Sequence, residues 1–276
     1  MNVNEAADLI LASKKYCRIN RAVVERICAE KLHGAEKINS NKKQNDFLKA
    51  VKNELHIIHE SFLPQNVHEK AAALLDNYNG DIKTDREFAA RLLELHASTR
   101  ERLPEAAAIY AFIGKYTGSK RIIDLGCGFN PFALPYYTSP PAQYTGLDIN
   151  ESTIQLLEKY FKMTGLDYQT GLFDAAAQIW CQSPFREAEV LLMLKLAPLL
   201  EHQKKGRPLE LVKILGCPIS IISFPIKSAS GKEKGMEAFY STQFEKTLAP
   251  DFSIIEKKIF KNEMFYIIKE KLESKK

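Results

Sequence analysis

The sequence predicts an α/β fold: a Rossmann-like sheet, mostly parallel, with an antiparallel C-terminal hairpin and a helical N-terminal domain in front of it. Three observations carry this. Between Arg121 and Phe224, short apolar runs of strand length alternate with helical patterns. A Gly-Cys-Gly turn follows the first such run directly, in the stretch DLGCGFNPFALPYY (124–137). After Asp251, two alternating runs meet at Lys261-Asn262, which reads as a β-hairpin.

Each element has its own signal. From Asn4 to about Asp76 the pattern is helical, with Leu9, Ile10, Val23, Val24, Ile27 and Leu32 at helical spacing. Pro64 and Asn79-Gly80 interrupt this region. Ser98 followed by Glu101 has the form of a capping box, and predicts a helix running to about Tyr116. Strands are then expected at Arg121–Leu125, Tyr144–Ile149, Asp167–Phe173, Glu189–Leu194 and Pro218–Phe224. Helices are expected at Glu151–Met163 and across Leu199–Leu215, with an irregular aromatic segment after the glycine turn. Phe252–Phe260 and Glu263–Lys269 form the closing pair. An antiparallel finish on a parallel sheet suits the methyltransferase variant of this architecture better than the dehydrogenase one. The expected division is a helical domain over 1–94 and a sheet domain over 95–276.

Bulk properties narrow the function classes. The chain has 276 residues, 45% hydrophobic and 26% charged, as in an ordinary globular protein. Its apolar runs, such as Val190–Leu194 and Ile219–Ile222, are far too short to span a bilayer. The first residues lack a basic leader followed by an apolar stretch, so no export signal is read there. Cysteines at 17, 28, 127, 181 and 217 are odd in number and form no CxxC, which argues against a metal site or a disulfide framework. A reduced cytoplasm is the expected location and a monomer the expected state. The net charge is +5, and residues 1–52 hold eleven Lys and Arg against six Asp and Glu, so the whole excess lies in the first fifth of the chain. That distribution points to a polyanionic partner for the helical domain, provided the sheet domain also acts on nucleic acid.

The glycine turn identifies the kind of ligand. In an open α/β sheet the ligand lies beyond the carboxyl ends of the strands, beside the first βα turn. Asp124 ends the first strand, and Asp148 ends the second, twenty residues after Gly128, where a carboxylate can reach ribose hydroxyls. Asp174 follows the third strand, where it can meet an adenine edge. A dinucleotide fingerprint would carry a third glycine at position 131, letting the helix pack close beneath a pyrophosphate. Here that position is Pro131, which lacks an N–H and has a fixed φ. S-adenosylmethionine has no phosphate and needs only close backbone approach, which Gly126 and Gly128 permit.

The acceptor atom is less legible. Amine-methylating enzymes acting on bases commonly carry an Asp/Asn-Pro-Pro-Tyr/Phe element after the fourth strand, whereas this strand ends in Leu194-Lys195 and reaches Pro198. Cytosine C5 chemistry needs a thiolate. Cys217-Pro218 is the one neighbourhood that offers it, at a strand start where a buried structural cysteine is expected. A ring nitrogen such as guanine N7 presents an unprotonated lone pair, so the enzyme mainly aligns donor and acceptor, and no catalytic base is expected.

Several stretches together resemble the aminoglycoside-resistance 16S ribosomal RNA methyltransferases that act on N7 of guanine 1405. They are LASKKY around Tyr16, LHASTRERL (95–103), DLGCGFNP (124–131), LKLAPLLE (194–201) and SFPIKSASGKEKGMEAFY (223–240). The resemblance implies S-adenosylmethionine as cofactor. It places His96, Ala97 and Ser98 at the methionine end, with Arg102 pairing with the ligand carboxylate. It places Gly126 and Gly128 under the ligand, Asp148 with Ile149 at the ribose, and Asp174-Ala175 at the adenine. Phe62, Leu194 and Gln203 would line the pocket. Lys227, Lys232, Lys234, Met236 and Glu237 would handle the target base and its phosphates, and Lys14 and Lys15 would touch the RNA backbone. The chain reads EAFY at 237–240 where relatives often have ENY-like forms, which leaves the fine geometry of that loop open. The function so implied is methylation of guanine 1405 within the 30S subunit, giving resistance to 4,6-disubstituted aminoglycosides. The alternatives are an adenine-N1 or other ribosomal RNA methyltransferase, a small-molecule methyltransferase, and a non-catalytic assembly factor built on the same fold. No metal and no membrane partner are expected.

Overall fold

The computed structural model describes residues 1–32, 37–59, 63, 66–177, 187–226, 236–248 and 250–271, with the backbone alone over 236–241. Five helices come first: α1 (Val3–Leu11), α2 (Arg21–Lys31), α3 (Asn41–Ile58), α4 (Val67–Asp76) and α5 (Arg86–Leu93). Asn2 and Asn20 cap α1 and α2 by accepting from backbone N–H groups of their first turns, and Glu5 completes a capping box on α1.

The expected helix from Ser98 to Tyr116 divides. α6 (Ala97–Arg100) is a single turn, a 3-10 turn covers Leu103–Glu105, and α7 (Ala106–Thr117) follows. Pro104 sits at the start of that 3-10 turn, where its missing N–H breaks the ladder. The capping box is not formed. Ser98 Oγ lies 3.1 Å from His96 Nδ1, and Glu101 accepts from the Lys195 ammonium instead.

The strands are β1 (Arg121–Leu125), β2 (Gln143–Asp148), β3 (Asp167–Leu172), β4 (Val190–Leu194), β5 (Ile219–Pro225), β6 (Phe252–Ile259) and β7 (Glu263–Glu270). They form one sheet in the order β3-β2-β1-β4-β5-β7-β6. The first five pair in parallel, while β7 runs antiparallel to both β5 and β6, as the terminal hairpin required. Every residue of the central strand β4 is buried, because helices cover both faces of a parallel sheet. The remaining helices are α8 (Glu151–Thr164), α9 (Ala197–Gln203), α10 (Arg207–Leu215) and α11 (Met236–Leu248). Gly165 ends α8 in the left-handed conformation, at φ 61°.

Three apolar cores hold these layers together. One contains Ala6, Ile10, Val24, Ile27, Val51 and Leu55, drawn from α1–α3, with Ile149 beyond β2 packed against it. A second lies on one sheet face and takes in Leu75 of α4 and Leu92 of α5 together with Ile113, Phe132 and Phe161. The third lies on the other face, with Leu125, Met193, Leu211 and Phe224. The buried residues of the helical core run from Ala6 to Ile58, while α4 and α5, also within the expected helical domain over 1–94, pack with the sheet.

Candidate functional site

The parallel strands deliver their carboxyl ends to one edge, where order reverses between β1 and β4. At that edge Gly126 and Gly128 take φ of 61° and 48°, so the chain turns tightly with two left-handed residues that only glycine adopts without strain. The cradle is walled closely. A Cβ on Gly126 would stand 3.0 Å from the Leu196 side chain, and one on Gly128 would stand 3.2 Å from His96 Nε2. Pro131 lies in the 3-10 segment Asn130–Tyr136 that replaces the phosphate-cradling helix start of dinucleotide folds.

A cavity of about 850 Å³, open solvent at its mouth included, lies against this turn. Ten of the residues expected at the cofactor line it: His96, Ser98, Gly126, Gly128, Asp148, Ile149, Asp174, Ala175, Leu194 and Gln203. Ala97 stands in α6 behind His96 and does not line it. Phe62, Lys227, Lys232 and Lys234 lie outside the described residues, and Met236 and Glu237 begin α11, of which only the backbone is described there.

Asp148 is held from two sides. The Gly128 N–H donates to Oδ2 at 2.9 Å and the Asn150 N–H to Oδ1 at 2.9 Å. Burial raises its pKa, while these backbone donors pull it down. A carboxylate can accept about four hydrogen bonds, so it retains capacity for hydroxyl donors of a ribose. Asn150 also caps α8, accepting from the Thr153 N–H at 3.0 Å, which fixes the loop that carries Asp148.

Beneath the glycine turn runs a buried polar network. Asp124 accepts from Tyr144 Oη at 2.5 Å and from Asn130 Nδ2 at 2.8 Å. Burial pushes its carboxyl up to about 6, against the pull of those two donors. Asp124 thus supports the turn from below and is absent from the cavity wall. Arg102 is likewise set back. Its Nε and Nη2 donate to Glu263 at 2.7 and 2.8 Å, and Nη1 to Asn130 Oδ1 at 3.3 Å. In this structure its guanidinium fork answers a protein carboxylate and does not line the cavity. Burial opposes the charge on Glu263, yet Arg102 and Lys195 outweigh it and hold the carboxyl below its usual value.

Some residues of the site were not singled out from sequence. Lys195 lines the cavity just past β4, with a buried side chain and φ of 58°. Its Nζ meets Glu101 at 2.5 Å and Glu263 at 3.6 Å. The departure from an amine-acceptor element at that position was its one sequence signal. Val23, Arg26, Ile58, His59 and Leu63 close the cavity from the helical side. Arg26 stands three residues after the buried Val23, so a cation on the apolar stripe of α2 was legible but was counted only as surface charge.

The wall chemistry favours a ligand without phosphate. Two carboxylates, Asp148 and Asp174, face the cavity, and the cations Arg26 and Lys195 on its wall are each paired with a protein carboxylate. Burial lowers the His96 imidazole to about 3, with Arg102 adding to the effect, so that ring is neutral near pH 7. The family model described as ribosomal RNA methyltransferase (FmrO) matches residues 12–267. The chain belongs to that family. It is 34% identical to a 16S rRNA (guanine(1405)-N(7))-methyltransferase from Serratia marcescens, over 98% of this chain and 99% of that one. The enzyme of the same name from Micromonospora echinospora is 30% identical, over 96% of each chain. Among solved structures, the 16S rRNA methyltransferase RmtF in complex with S-adenosyl-L-homocysteine superposes with a TM-score of 0.83 at 29% identity, covering 98% of both chains. The 16S rRNA methylase RmtB superposes with a TM-score of 0.79 at 30% identity, covering 98% of this chain and 99% of its own.

This family membership agrees with the strand order and the expected antiparallel finish. Outside the cavity, Lys14 and Lys15 lie between α1 and α2 and line a groove with Arg18, His68, Asn150 and Lys159. The groove adjoins the cavity through His59 and Leu63, which line both. Among the described residues no group of His, Cys, Asp and Glu is arranged to hold a metal ion, and no helix is long and apolar enough to cross a membrane.

Proposed function

We propose that the chain transfers a methyl group from S-adenosylmethionine to N7 of guanine 1405 of 16S ribosomal RNA. The observation that carries the reading is the pair Asp148 and Asp174 at the ends of neighbouring strands, facing one cavity floored by the Gly126–Gly128 turn. Asp148 would accept from the ribose hydroxyls and Asp174 from the adenine amine. Lys195 on the wall, with Arg102 behind it, would supply positive charge toward the methionine carboxylate. Bound there, S-adenosylmethionine supplies an electrophilic methyl group on a sulfonium. The chain's own part is to hold donor and acceptor in line and to exclude water, which can contribute about 7–11 kcal/mol of the barrier in the best-oriented cases. Guanine N7 carries no proton, so no side chain has to remove one. This agrees with the neutral, buried His96 on the cavity wall.

The helical segment would dock on folded RNA through Lys14 and Lys15, reading shape and phosphates more than sequence. Lys227, Lys232, Lys234, Met236 and Glu237 would act at the target base. The substrate would be the assembled 30S subunit, since a surface that reads shape needs the RNA already folded. The added methyl would place positive charge on the base, and resistance to 4,6-disubstituted aminoglycosides would follow. The protein would act as a monomer in the cytoplasm.

The test is methylation of purified 30S subunits with radiolabelled donor, followed by mapping of the modified base. Methylation at guanine 1405, lost in Asp148→Ala, is the expected result. A methyl on a neighbouring adenine would support the adenine-N1 alternative. An unmodified ribosomal RNA, with binding unaffected by Asp148→Ala, would support an assembly factor.

A further inference from the structure

The α2 helix sends one side chain across the seam into the cofactor cavity. Arg26 donates through Nε to Asp174 Oδ2 at 2.7 Å and through Nη2 to Asp174 Oδ1 at 3.2 Å. The same Nη2 donates to Gln203 Oε1 at 2.8 Å, and Nη1 donates to Glu30 at 2.9 Å. The Arg26 and Asp174 side chains are only 17% and 11% exposed, so this fork-to-carboxylate pair is shielded from solvent and well defined in geometry. Arg26, Asp174 and Gln203 all line the cavity.

The consequence lies in hydrogen-bond polarity. A glutamine amide can present either its oxygen or its nitrogen, and the network around it decides which. Because Arg26 donates to Oε1, the Gln203 amide is turned with its oxygen toward the guanidinium and its Nε2 on the opposite side. One N–H of that nitrogen reaches Leu199 O at 3.3 Å, which leaves the other for a ligand. Asp174, already bound by Arg26 and by the Ala176 N–H at 3.0 Å, stays a pure acceptor. The cavity therefore sets an acceptor and a donor side by side. That pair matches the edge of an aminopurine, whose exocyclic amine donates and whose ring nitrogen accepts. It mismatches a ketopurine, in which both polarities are reversed.

We infer that Arg26 is the positioning residue that makes this site read adenine, by fixing Asp174 as acceptor and the Gln203 amide as donor from the helical segment. The inference rests on the reading of the cavity as an S-adenosylmethionine site. Without Arg26, the Gln203 amide is free to turn and accept from a ketopurine ring N–H, so the discrimination collapses more than the fold does.

Calorimetry with S-adenosylhomocysteine and with its hypoxanthine counterpart, S-inosylhomocysteine, on the full chain tests this. The unaltered protein is expected to prefer the adenine ligand by about a hundredfold or more, since a site built for one pattern leaves polar groups unpaired against the other. Arg26→Ala should bind S-adenosylhomocysteine about tenfold more weakly and lose most of that preference. Arg26→Lys keeps the charge and the stem but not the fork. It should restore part of the affinity with little of the preference, and it carries the test should Arg26→Ala fail to fold. An unchanged preference in a folded Arg26 variant overturns the inference while leaving the cofactor reading intact. An unaltered protein that binds neither ligand overturns the cofactor reading, and this inference with it.

Discussion

Gly128 shows how much one residue decides. Its φ of 48° would strain any residue with a side chain, by about 1–2 kcal/mol. A methyl group there would also press on the His96 imidazole, which packs at 5.4 Å against Phe129 and has little room to yield. Gly128→Ala is expected to weaken S-adenosylhomocysteine binding about tenfold or more, read by calorimetry, and to lower the thermal midpoint. Two histidines, His96 buried and His68 half-buried, act on stability. Burial pushes His68 down to about 4 and His96 to about 3, against an ordinary value near 6.5. Their unfolded forms bind protons that the folded forms refuse. The stability they contribute is present above about pH 6.5 and is lost as pH falls toward 4. Asp124, raised to about 6 by burial, acts oppositely: its contribution is present below about pH 4 and lost as pH rises through 6. Between those limits two histidines outweigh one carboxylate, so the urea midpoint is expected to be lower at about pH 5 than at about pH 7.5.

At the scale of elements, the loop from β2 into α8 joins the ribose carboxylate to the helical segment. The Asn20 N–H donates to Ile149 O, and the Glu151 N–H to Arg18 O, each at 2.8 Å. Asn150 within it caps α8 and meets His59 Nε2 at 2.8 Å. Asn150→Ala removes the cap and deprives a buried imidazole of a partner, and should cost about 1–2 kcal/mol in urea unfolding. Because this loop also carries Asp148, cofactor affinity should fall in the same variant. The strands were largely legible in the sequence, since a two-residue alternation or a fully apolar run leaves few alternatives. β1 was placed at its observed limits and the other strands within a residue or two. The turn at Ser98 was not, because its two side chains found other partners, Glu101 on the distant Lys195 and Ser98 on the nearby His96. A local capping signal yields when a buried ammonium needs a counter-charge.

On the scale of the whole molecule, Arg102 and Glu263 stand 161 positions apart in sequence and tie the segment before α7 to β7. Both side chains are almost wholly buried, at 2% and 1% exposure, and Glu263 also accepts from Ser223 Oγ and faces Lys195. Removing one partner leaves the other's charge buried without compensation, so Glu263→Ala is expected to cost about 3–5 kcal/mol in chemical unfolding. By contrast Lys257→Ala, which breaks an ion pair with Glu245 whose side chains are 33% and 39% exposed, should cost less than about 1 kcal/mol. The same reasoning explains why Arg102 was read toward a ligand carboxylate: the sequence offers an arginine near the site but does not say which carboxylate reaches it first.

The sequence by itself determined the sheet with its antiparallel finish and the phosphate-free character of the ligand, from local rules: strand periodicity, the backbone freedom of glycine, the fixed φ of proline, and carboxylates at strand ends. With the family resemblance added, it named ten of the residues on the cavity wall. Only the tertiary structure decided that α4 and α5 share a core with the sheet, that Glu263 takes the Arg102 fork, and that Arg26 reaches Asp174 and Gln203. Each of those depends on which buried charge or apolar face meets which partner from a distant part of the chain, and desolvation settles such pairings only when the layers close.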